Sequence, residues 1–366
     1  MHRLIFWGII ILLVVLLFFF IGFILYWLFR IFLAKPEARL VSGCIMGFLT
    51  LIIVVGGWWG STHTRLEIQV NQVEVPSPRL PEAFEGFRIA QLSDMHLGSF
   101  QPKEGREFLA RLADSIAAQQ PDIIVFTGDL VTLRSAEALP FRQSLHQLAH
   151  IPARDGQGFI PVYSILGNHD YAEYVRTFTD ERRKQDVDSL ILLQKEAGWH
   201  MLLNESETLT RPCSDTTEQR IALVGVENIG EPPFSTYGDL DRAYDNIGGI
   251  QPNVGTFIIL LSHNPTHWRS EVLERTYIDL TLSGHTHAMQ FVIGGWSPSK
   301  WKYPEFMGLY KENSSVAQED QELMQCYSTT LPQYLYVNTG IGCVGPSIRI
   351  GVKPEVTILT LTNSKD

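Results

Sequence analysis

Cysteine and positive charge are both scarce in this chain of 366 residues. There are four cysteines, and no two of them have C-x-x-C spacing, so there is no zinc-finger pattern and only a weak indication of redox chemistry. They are Cys44, Cys213, Cys326 and Cys343. Lysine and arginine number 29 against 39 aspartate and glutamate, for a formal net charge of −10. Because an acidic surface repels phosphate backbones, we expect no nucleic-acid-binding surface.

Charge is missing altogether from two apolar stretches near the N-terminus. Residues 4–29 and 40–59 contain no charged side chain, and each is long enough to cross a bilayer, which takes roughly 20 residues. A cleaved secretory signal is less favoured, because its apolar region would be only about 7–15 residues long. The pattern therefore predicts a two-helix transmembrane hairpin within residues 1–60, with the lipid bilayer as a partner.

The distribution of basic residues predicts how this hairpin lies in the membrane. The linker carries Arg30, Lys35 and Arg39, against Arg3 before the first apolar stretch and Arg65 after the second. The positive-inside tendency places the linker in the cytoplasm. We therefore expect a protein of the inner (cytoplasmic) membrane whose remaining residues lie on the extracytoplasmic side.

The rest of the chain divides into a tether with a first strand, residues 61–85, and one domain, residues 86–366. Apolar strand-like runs alternate with helical stretches at about 103–119, 136–149 and 180–197. This alternation predicts βαβ units and a parallel sheet, an α/β fold. Residues 297–330 are polar and irregular, which predicts a surface loop or lid.

Five of the strand-like runs end in carboxylate, amide or imidazole side chains. They are Asp94 and His96 in SDMH, Asp129 in TGDL, Asn168, His169 and Asp170 in GNHD, His263 in LSHN, and His285 with His287 in SGHTH. Each pattern alone is more often a turn or a surface histidine. Five in succession, each after a strand, favour one metal site at the strand ends.

The SGHTH segment suggests how the last two side chains reach such a site. Residues i and i+2 of a strand point the same way, so the rings of His285 and His287 could face one site. Gly284, directly before them, leaves room for another backbone segment to approach closely.

The order D-x-H, G-D, G-N-H-D, H and G-H-x-H resembles the calcineurin-like metallophosphoesterase superfamily over about residues 85–362, and most closely its membrane-anchored or exported bacterial branch. The resemblance implies a two-sheet β-sandwich flanked by helices, with two divalent transition-metal ions, Mn, Fe or Zn, at the strand ends. The ligands it implies are Asp94, His96 and His287 for the first metal, Asn168, His263 and His285 for the second, and Asp129 as the bridge.

The resemblance also implies an activity, the hydrolysis of phosphoester bonds by in-line attack of a metal-bridging hydroxide. His169 would be the general acid, while Asp170 would either orient that imidazole or form a turn. Ala288 and Met289 stand where relatives commonly have glycines, which could narrow the path of the substrate.

With the membrane hairpin, the expected substrates are cell-envelope or lipid-linked phosphoesters. One alternative is a nucleotide-linked lipid pyrophosphate hydrolase. Another, from a different class, is a catalytically silent metal-binding scaffold, which a missing ligand or a missing His169 would favour; neither is missing.

Overall fold

A computed structural model of the chain consists of two compact units, Met1–Ser61 and Thr62–Asp366. It describes residues 2–213, 218–232, 235–245, 247, 256–313 and 331–363, with side chains from residue 15 onward except those of residues 245 and 274. Residues 314–330, which make up about half of the predicted surface loop, lie outside the described residues.

The N-terminal unit consists of two helices, α1 (His2–Arg30) and α2 (Lys35–Thr62). Large apolar side chains along both helices are exposed, among them Phe19, Phe23, Leu51 and Trp58. The segment 35–66 is long and apolar enough to cross a membrane, and residues 15–30 form a shorter apolar helix. The two predicted apolar helices therefore exist, and their insertion into a bilayer stays a prediction.

The second unit is built on two mixed six-stranded sheets. The strands are β1 (Gln69–Pro76), β2 (Arg88–Leu92), β3 (Ile123–Phe126), β4 (Val162–Ser164), β5 (His200–Met201), β6 (Glu205–Pro212), β7 (Glu218–Gly225), β8 (Ile258–Leu261), β9 (Leu280–Ser283), β10 (Gly308–Asn313), β11 (Pro332–Val337) and β12 (Glu355–Thr362). The first sheet has the order β1-β12-β2-β3-β4-β5, and the second has the order β10-β11-β9-β8-β7-β6. Strands β2 to β5 run parallel to one another, as do β7, β8, β9 and β11.

Helices flank both sheets. They are α3 (Pro102–Gln119), α4 (Arg142–Leu148), α5 (Asp180–Glu196), α6 (Leu240–Asp245) and α7 (Leu273–Arg275), the last continuing a π-helical turn over Trp268–Val272. The helix predicted at about 136–149 is α-helical only from Arg142, after two 3₁₀ turns. Pro140 explains the difference, because proline lacks an N–H and disfavours a helical conformation at the residue before it.

The central strands bury both of their faces. Ala90 and Leu92 of β2 pack in the core beneath the helices α3 to α5, whereas Ile89 packs in the core between the two sheets. Successive side chains of a strand point to opposite faces, so a strand between two cores needs apolar residues at every position. The layers are therefore helices, sheet, sheet and helices, and the expected two-sheet sandwich flanked by helices is confirmed.

Candidate metal centre

The site lies where strand ends of the two sheets meet. Strands β2, β3 and β4 of the first sheet and β8 and β9 of the second are each followed by a segment that carries predicted site residues. Because parallel strands end at the same edge of a sheet, these five segments come together. All seven predicted metal ligands lie in two neighbouring clusters, with His169 and Asp170 beside them.

The first cluster consists of Asp94, His96 and His287, all of them buried. His287 Nε2 lies 3.1 Å from Asp94 Oδ1 and 3.1 Å from His96 Nε2. Burial by itself would raise the pKa of Asp94, but the His287 imidazole outweighs it and holds the pKa below its usual range. Burial also lowers the pKa of His96, which favours the neutral imidazole that a metal ion requires.

The second cluster consists of Asp129, His263 and His285, and the amide oxygen of Asn168 completes it. Asn168 Oδ1 lies 2.8 Å from His285 Nδ1 and 3.2 Å from His263 Nε2. Burial, followed by the charge of His263, lowers the pKa of His285 to about 3. Asn168, His263 and His285 therefore lie together, apart from Asp94, His96 and His287, and their assignment as metal ligands stays a prediction.

Asp129 faces both clusters with one carboxylate oxygen. Its Oδ2 lies 3.5 Å from His96 Nε2 of the first cluster and 3.2 Å from His263 Nε2 of the second. Its Oδ1 accepts a hydrogen bond of 2.8 Å from the backbone N–H of His169. Two buried carboxylates, four imidazoles and an amide oxygen form a donor set that suits divalent transition-metal ions. The residues present therefore fit the dinuclear centre.

The backbone at these ligands departs from the geometry expected for His285 and His287. Strand β9 ends at Ser283, and the two histidines follow it with φ of 71° and 49°. The two histidines therefore lie just beyond the strand, and strand alternation does not explain their orientation. One ring lies in each of the two neighbouring clusters, and both line one site, as the sequence predicted. Asp94, His96 and Asp129 also have positive φ, of 51°, 39° and 61°. Such backbone costs about 1–3 kcal/mol per residue and is typical of functional sites.

Gly284 provides the close backbone approach that the sequence predicted. A Cβ atom at this position would overlap Ser93 Oγ and the carboxylate of Asp94. Because Gly284 has no side chain, the backbone N–H of His285 can approach Asp94 Oδ2 to 3.0 Å and donate a hydrogen bond to it. Any larger residue at position 284 would displace a candidate ligand.

His169 lies at the edge of the site rather than in either cluster. Its Nδ1 is 2.7 Å from the carbonyl oxygen of Thr132, so Nδ1 carries the donated hydrogen and Nε2 is left for a substrate. The ring stacks on Tyr174 at a centroid distance of 4.3 Å and meets His96 edge-on at 4.9 Å. This placement suits a residue that acts on the substrate beside the metals.

Asp170 is buried below the site and contacts backbone rather than the His169 ring. Its Oδ2 accepts hydrogen bonds from the N–H of Asp129 at 2.8 Å and of Gly167 at 3.0 Å, and its Oδ1 accepts one from Val131 at 3.1 Å. Burial and the neighbouring charge of Asp129 raise the pKa of Asp170 to about 7. Of the two roles expected from the sequence, this geometry favours the turn-forming one.

The family model of calcineurin-like phosphoesterases matches residues 87–289, a range that contains both clusters. The chain belongs to this family. The expected resemblance is thereby confirmed; members of this family use a centre of two divalent metal ions.

Individual relatives of the chain include a transmembrane protein, an uncharacterized metallophosphoesterase and a pyrophosphatase. A transmembrane protein with metallophosphoesterase domain from Danio rerio is 28% identical over 89% of this chain and 65% of its own length. The uncharacterized metallophosphoesterase YkuE of Bacillus subtilis is 27% identical over 81% of this chain and 86% of its own. The UDP-2,3-diacylglucosamine pyrophosphatase LpxG of Chlamydia trachomatis is 28% identical over 87% of this chain and 98% of its own length. The chain thus spans less than two thirds of the length of the Danio rerio relative.

Three residues of the phosphoesterase site were missed from the sequence. Tyr303 places its hydroxyl 2.9 Å from His285 Nε2, and the Tyr174 hydroxyl accepts a hydrogen bond of 2.8 Å from the Asn168 amide. Arg349 is fully buried and donates to the carbonyl oxygens of residues 339, 340 and 342, in the loop that packs against Asp94. Tyr174 lies only six residues after Asn168, but a single tyrosine or arginine gives no pattern that could have revealed these contacts.

The two residues that stand where the resemblance implies glycines, Ala288 and Met289, have different surroundings. Ala288 and Met289 both adopt left-handed backbone, with φ of 47° and 49°, the conformation that glycine adopts most easily. Ala288 packs in a small apolar cluster with Val292 and Phe306. The Met289 side chain, by contrast, lines the pocket beside the two ligand clusters. Only Met289 therefore stands where a substrate would pass.

Proposed function

We propose that the protein is a membrane-anchored phosphoesterase that hydrolyses cell-envelope or lipid-linked phosphoesters at a dinuclear metal centre. The observation that carries this proposal is the convergence of two buried donor clusters on the shared carboxylate of Asp129. Asp94, His96 and His287 would hold one ion, Asn168, His263 and His285 the other, and Asp129 both. Mixed imidazole and oxygen donors suit manganese, iron or zinc.

Two divalent ions in this position would lower the pKa of bound water and offset the charge of the phosphoryl oxygens. The remaining chemistry belongs to the side chains of the chain itself. As an imidazolium, His169 would donate the proton on Nε2 to the leaving oxygen and become a neutral imidazole, while its Nδ1–H stays hydrogen-bonded to the Thr132 carbonyl on the opposite side of the ring. Stacking on Tyr174 restricts rotation of the ring. General-acid help of this kind contributes typically 10² to 10⁴ in rate.

The membrane part of the proposal rests on helices α1 and α2. Their exposed apolar side chains would be costly in water and favourable in lipid. The name of the Danio rerio relative supports the same assignment. From the basic linker, we propose insertion in the inner membrane with the second unit on the extracytoplasmic side.

A second candidate function is hydrolysis of a nucleotide-linked lipid pyrophosphate. It is favoured by the similarity to the pyrophosphatase LpxG, which extends over 98% of that relative. This candidate would suit an active site in the cytoplasm. Fusions of reporter enzymes to the C-terminus, active on only one side of the membrane, would therefore distinguish the two proposals.

The decisive experiment measures metal content and turnover of the full chain in detergent. The protein would be reconstituted with manganese, iron or zinc and tested on phosphodiesters, phosphomonoesters and a nucleoside diphosphate sugar. We expect two ions per chain and turnover of at least one class, with both lowered by His263→Ala. A folded chain that binds one ion or none would contradict the metal centre. Two ions without any turnover would instead support the silent scaffold.

A further inference from the structure

The pocket beside the two clusters has two chemically different sides. It has a volume of about 560 Å³, and candidate ligands and His169 form one side. The other side, here called the apolar wall, consists of Met289, Phe291, Val344, Pro346, Ile348 and Ile350. No lysine or arginine is among the described residues that line the pocket.

The apolar wall is formed by two segments that are tied together. Residues 289–291 follow the last two candidate ligands, and residues 344–350 follow strand β11. Backbone hydrogen bonds join Val292 N–H to the Ile350 carbonyl at 2.8 Å and Ile350 N–H to the Gln290 carbonyl at 2.9 Å. The Gln290 amide group also donates to the carbonyls of Pro346 and Ile348, each at 3.1 Å. The wall is therefore a built surface, held at a fixed position relative to the site.

The side chains of the wall are incompletely covered. Met289 is 59% exposed, and Phe291, Val344, Ile348 and Ile350 are half-buried. Apolar groups that line a concave pocket gain by binding an apolar ligand, by up to about fourfold in affinity for each methylene that leaves water. A polar or charged ligand group would lose its hydration against this wall without gaining a partner.

Charge narrows the class of substrate further. A phosphodiester carries one negative charge, whereas a nucleoside diphosphate carries a second phosphate that needs its own compensation. Such compensation usually comes from arginine or lysine. The described lining of the pocket offers neither, so a singly charged ester fits it better.

We propose that the apolar wall binds an alkyl or acyl chain attached to the phosphorus through an ester oxygen, and that the preferred substrate is a phosphodiester bearing such a chain. This inference rests on the proposed phosphoesterase function and specifies its substrate class. Met289 and Ile348, one from each segment, are specificity-determining residues of the wall.

The test uses alkyl p-nitrophenyl phosphates with methyl, ethyl, propyl and butyl chains. In each reaction water adds to phosphorus, the bond to the aryl oxygen breaks, and p-nitrophenolate leaves while the alkyl phosphate remains. The leaving group is thus constant, and these short chains stay in water when the full protein is held in detergent. Full burial of three added methylenes would raise kcat/KM by roughly 60-fold. For a half-exposed wall, we expect a rise of about 10-fold from methyl to butyl.

The variant Met289→Gln keeps the approximate shape of the side chain and Ile348→Thr shortens it by one methyl group, and both make the side chain polar. We expect the ratio of kcat/KM for the butyl to the methyl ester to fall to about threefold or less in each. The matched control is Leu139→Gln, which changes an apolar side chain that is 53% exposed outside the pocket. This control should keep the ratio of the unmodified protein.

The outcomes separate this inference from the proposed function. If two ions bind and no ester is hydrolysed, the phosphoesterase function itself fails. If the esters are hydrolysed at rates independent of chain length, or both wall variants keep the full ratio, the function stands and the inference is overturned. Faster hydrolysis of a nucleoside diphosphate sugar than of the butyl ester would also overturn it.

Discussion

The three hydrogen bonds of Asp170 predict that Asp170→Asn weakens metal binding rather than proton transfer. Asparagine keeps the shape of the side chain but has only one oxygen. If that oxygen serves the N–H groups of Asp129 and Gly167, the amide nitrogen must face the N–H of Val131, and two donors then oppose each other. Losing a hydrogen bond to this buried carboxyl group and leaving a buried donor unpaired costs about 2–4 kcal/mol in the free energy of unfolding.

Metal affinity is the measurement that tests this reasoning. Asp170 fixes the segments that carry Asp129 and Asn168, and loss of such a supporting residue typically lowers metal affinity 10- to 100-fold. Competition with a chelator would give the affinity, thermal unfolding the stability, and a series of aryl and alkyl phosphodiesters the dependence on the leaving group. We expect that excess metal restores much of the turnover and that the dependence on the leaving group is unchanged.

Asp186→Asn is the matched control for this experiment. Asp186 is also buried and accepts hydrogen bonds from the N–H and hydroxyl of Ser135 at 2.7 and 2.8 Å, but it has no part in either cluster. The control should lower stability without lowering metal affinity. Unchanged metal affinity in Asp170→Asn, together with an altered dependence on the leaving group, would refute the reasoning and show that Asp170 acts on His169.

Three further predictions concern the bridge, the general acid and a buried ion pair. Asp129→Asn removes charge between both clusters, so metal analysis should show a larger loss than in His96→Ala, and an equal or smaller loss would contradict the bridge. His169→Ala should retain two ions while kcat/KM falls roughly 10² to 10⁴, least for p-nitrophenolate and most for alkoxide leaving groups; a lost ion would make His169 a ligand. The buried carboxylate of Asp279 lies 3.5 Å from the Arg79 guanidinium, and Arg79→Ala removes this ion-pair partner. The free energy of unfolding in denaturant should then fall by about 3–5 kcal/mol without loss of metal, and a change below about 1 kcal/mol would contradict this pairing.

The sequence was sufficient to predict the strands that carry the site. Strands β3 and β8 are short, wholly apolar runs because both of their faces are buried, whereas β2 and β9 also contain the buried polar residues Gln91, Thr281 and Ser283. A cluster of polar site residues shortly after such a run marks the edge of the sheet. The site residues follow these runs in the order of the family motifs. Local pattern and strand position together therefore indicated nine site residues, and the family resemblance selected the seven candidate ligands among them.

The geometry within the loops could not be predicted in the same way. No propensity indicates that His285 or His287 adopts a left-handed backbone, because histidine is uncommon there and tertiary contacts impose it. The role of Asp170 depends on amides 39 and 41 residues earlier in the chain as well as one nearby. Contacts of this kind exist only after the sheets have brought the loops together.

Hydrogen bonds of two buried residues, Asp170 and Arg349, offset the backbone strain at the candidate ligands. Positive φ at five ligands would cost several kcal/mol in total if the loops were free to relax. Asp170 accepts from three N–H groups on the loops after β3 and β4, and Arg349 donates to three carbonyl groups on the loop after β11. Asp170 thus satisfies backbone N–H groups, and Arg349 satisfies backbone carbonyl groups, in loops that lie outside helices and strands. Because these bonds involve no metal ligand side chain, they hold the loops in place before an ion arrives. The donor clusters are therefore preorganised, and the free energy of metal binding is not spent on ordering the loops.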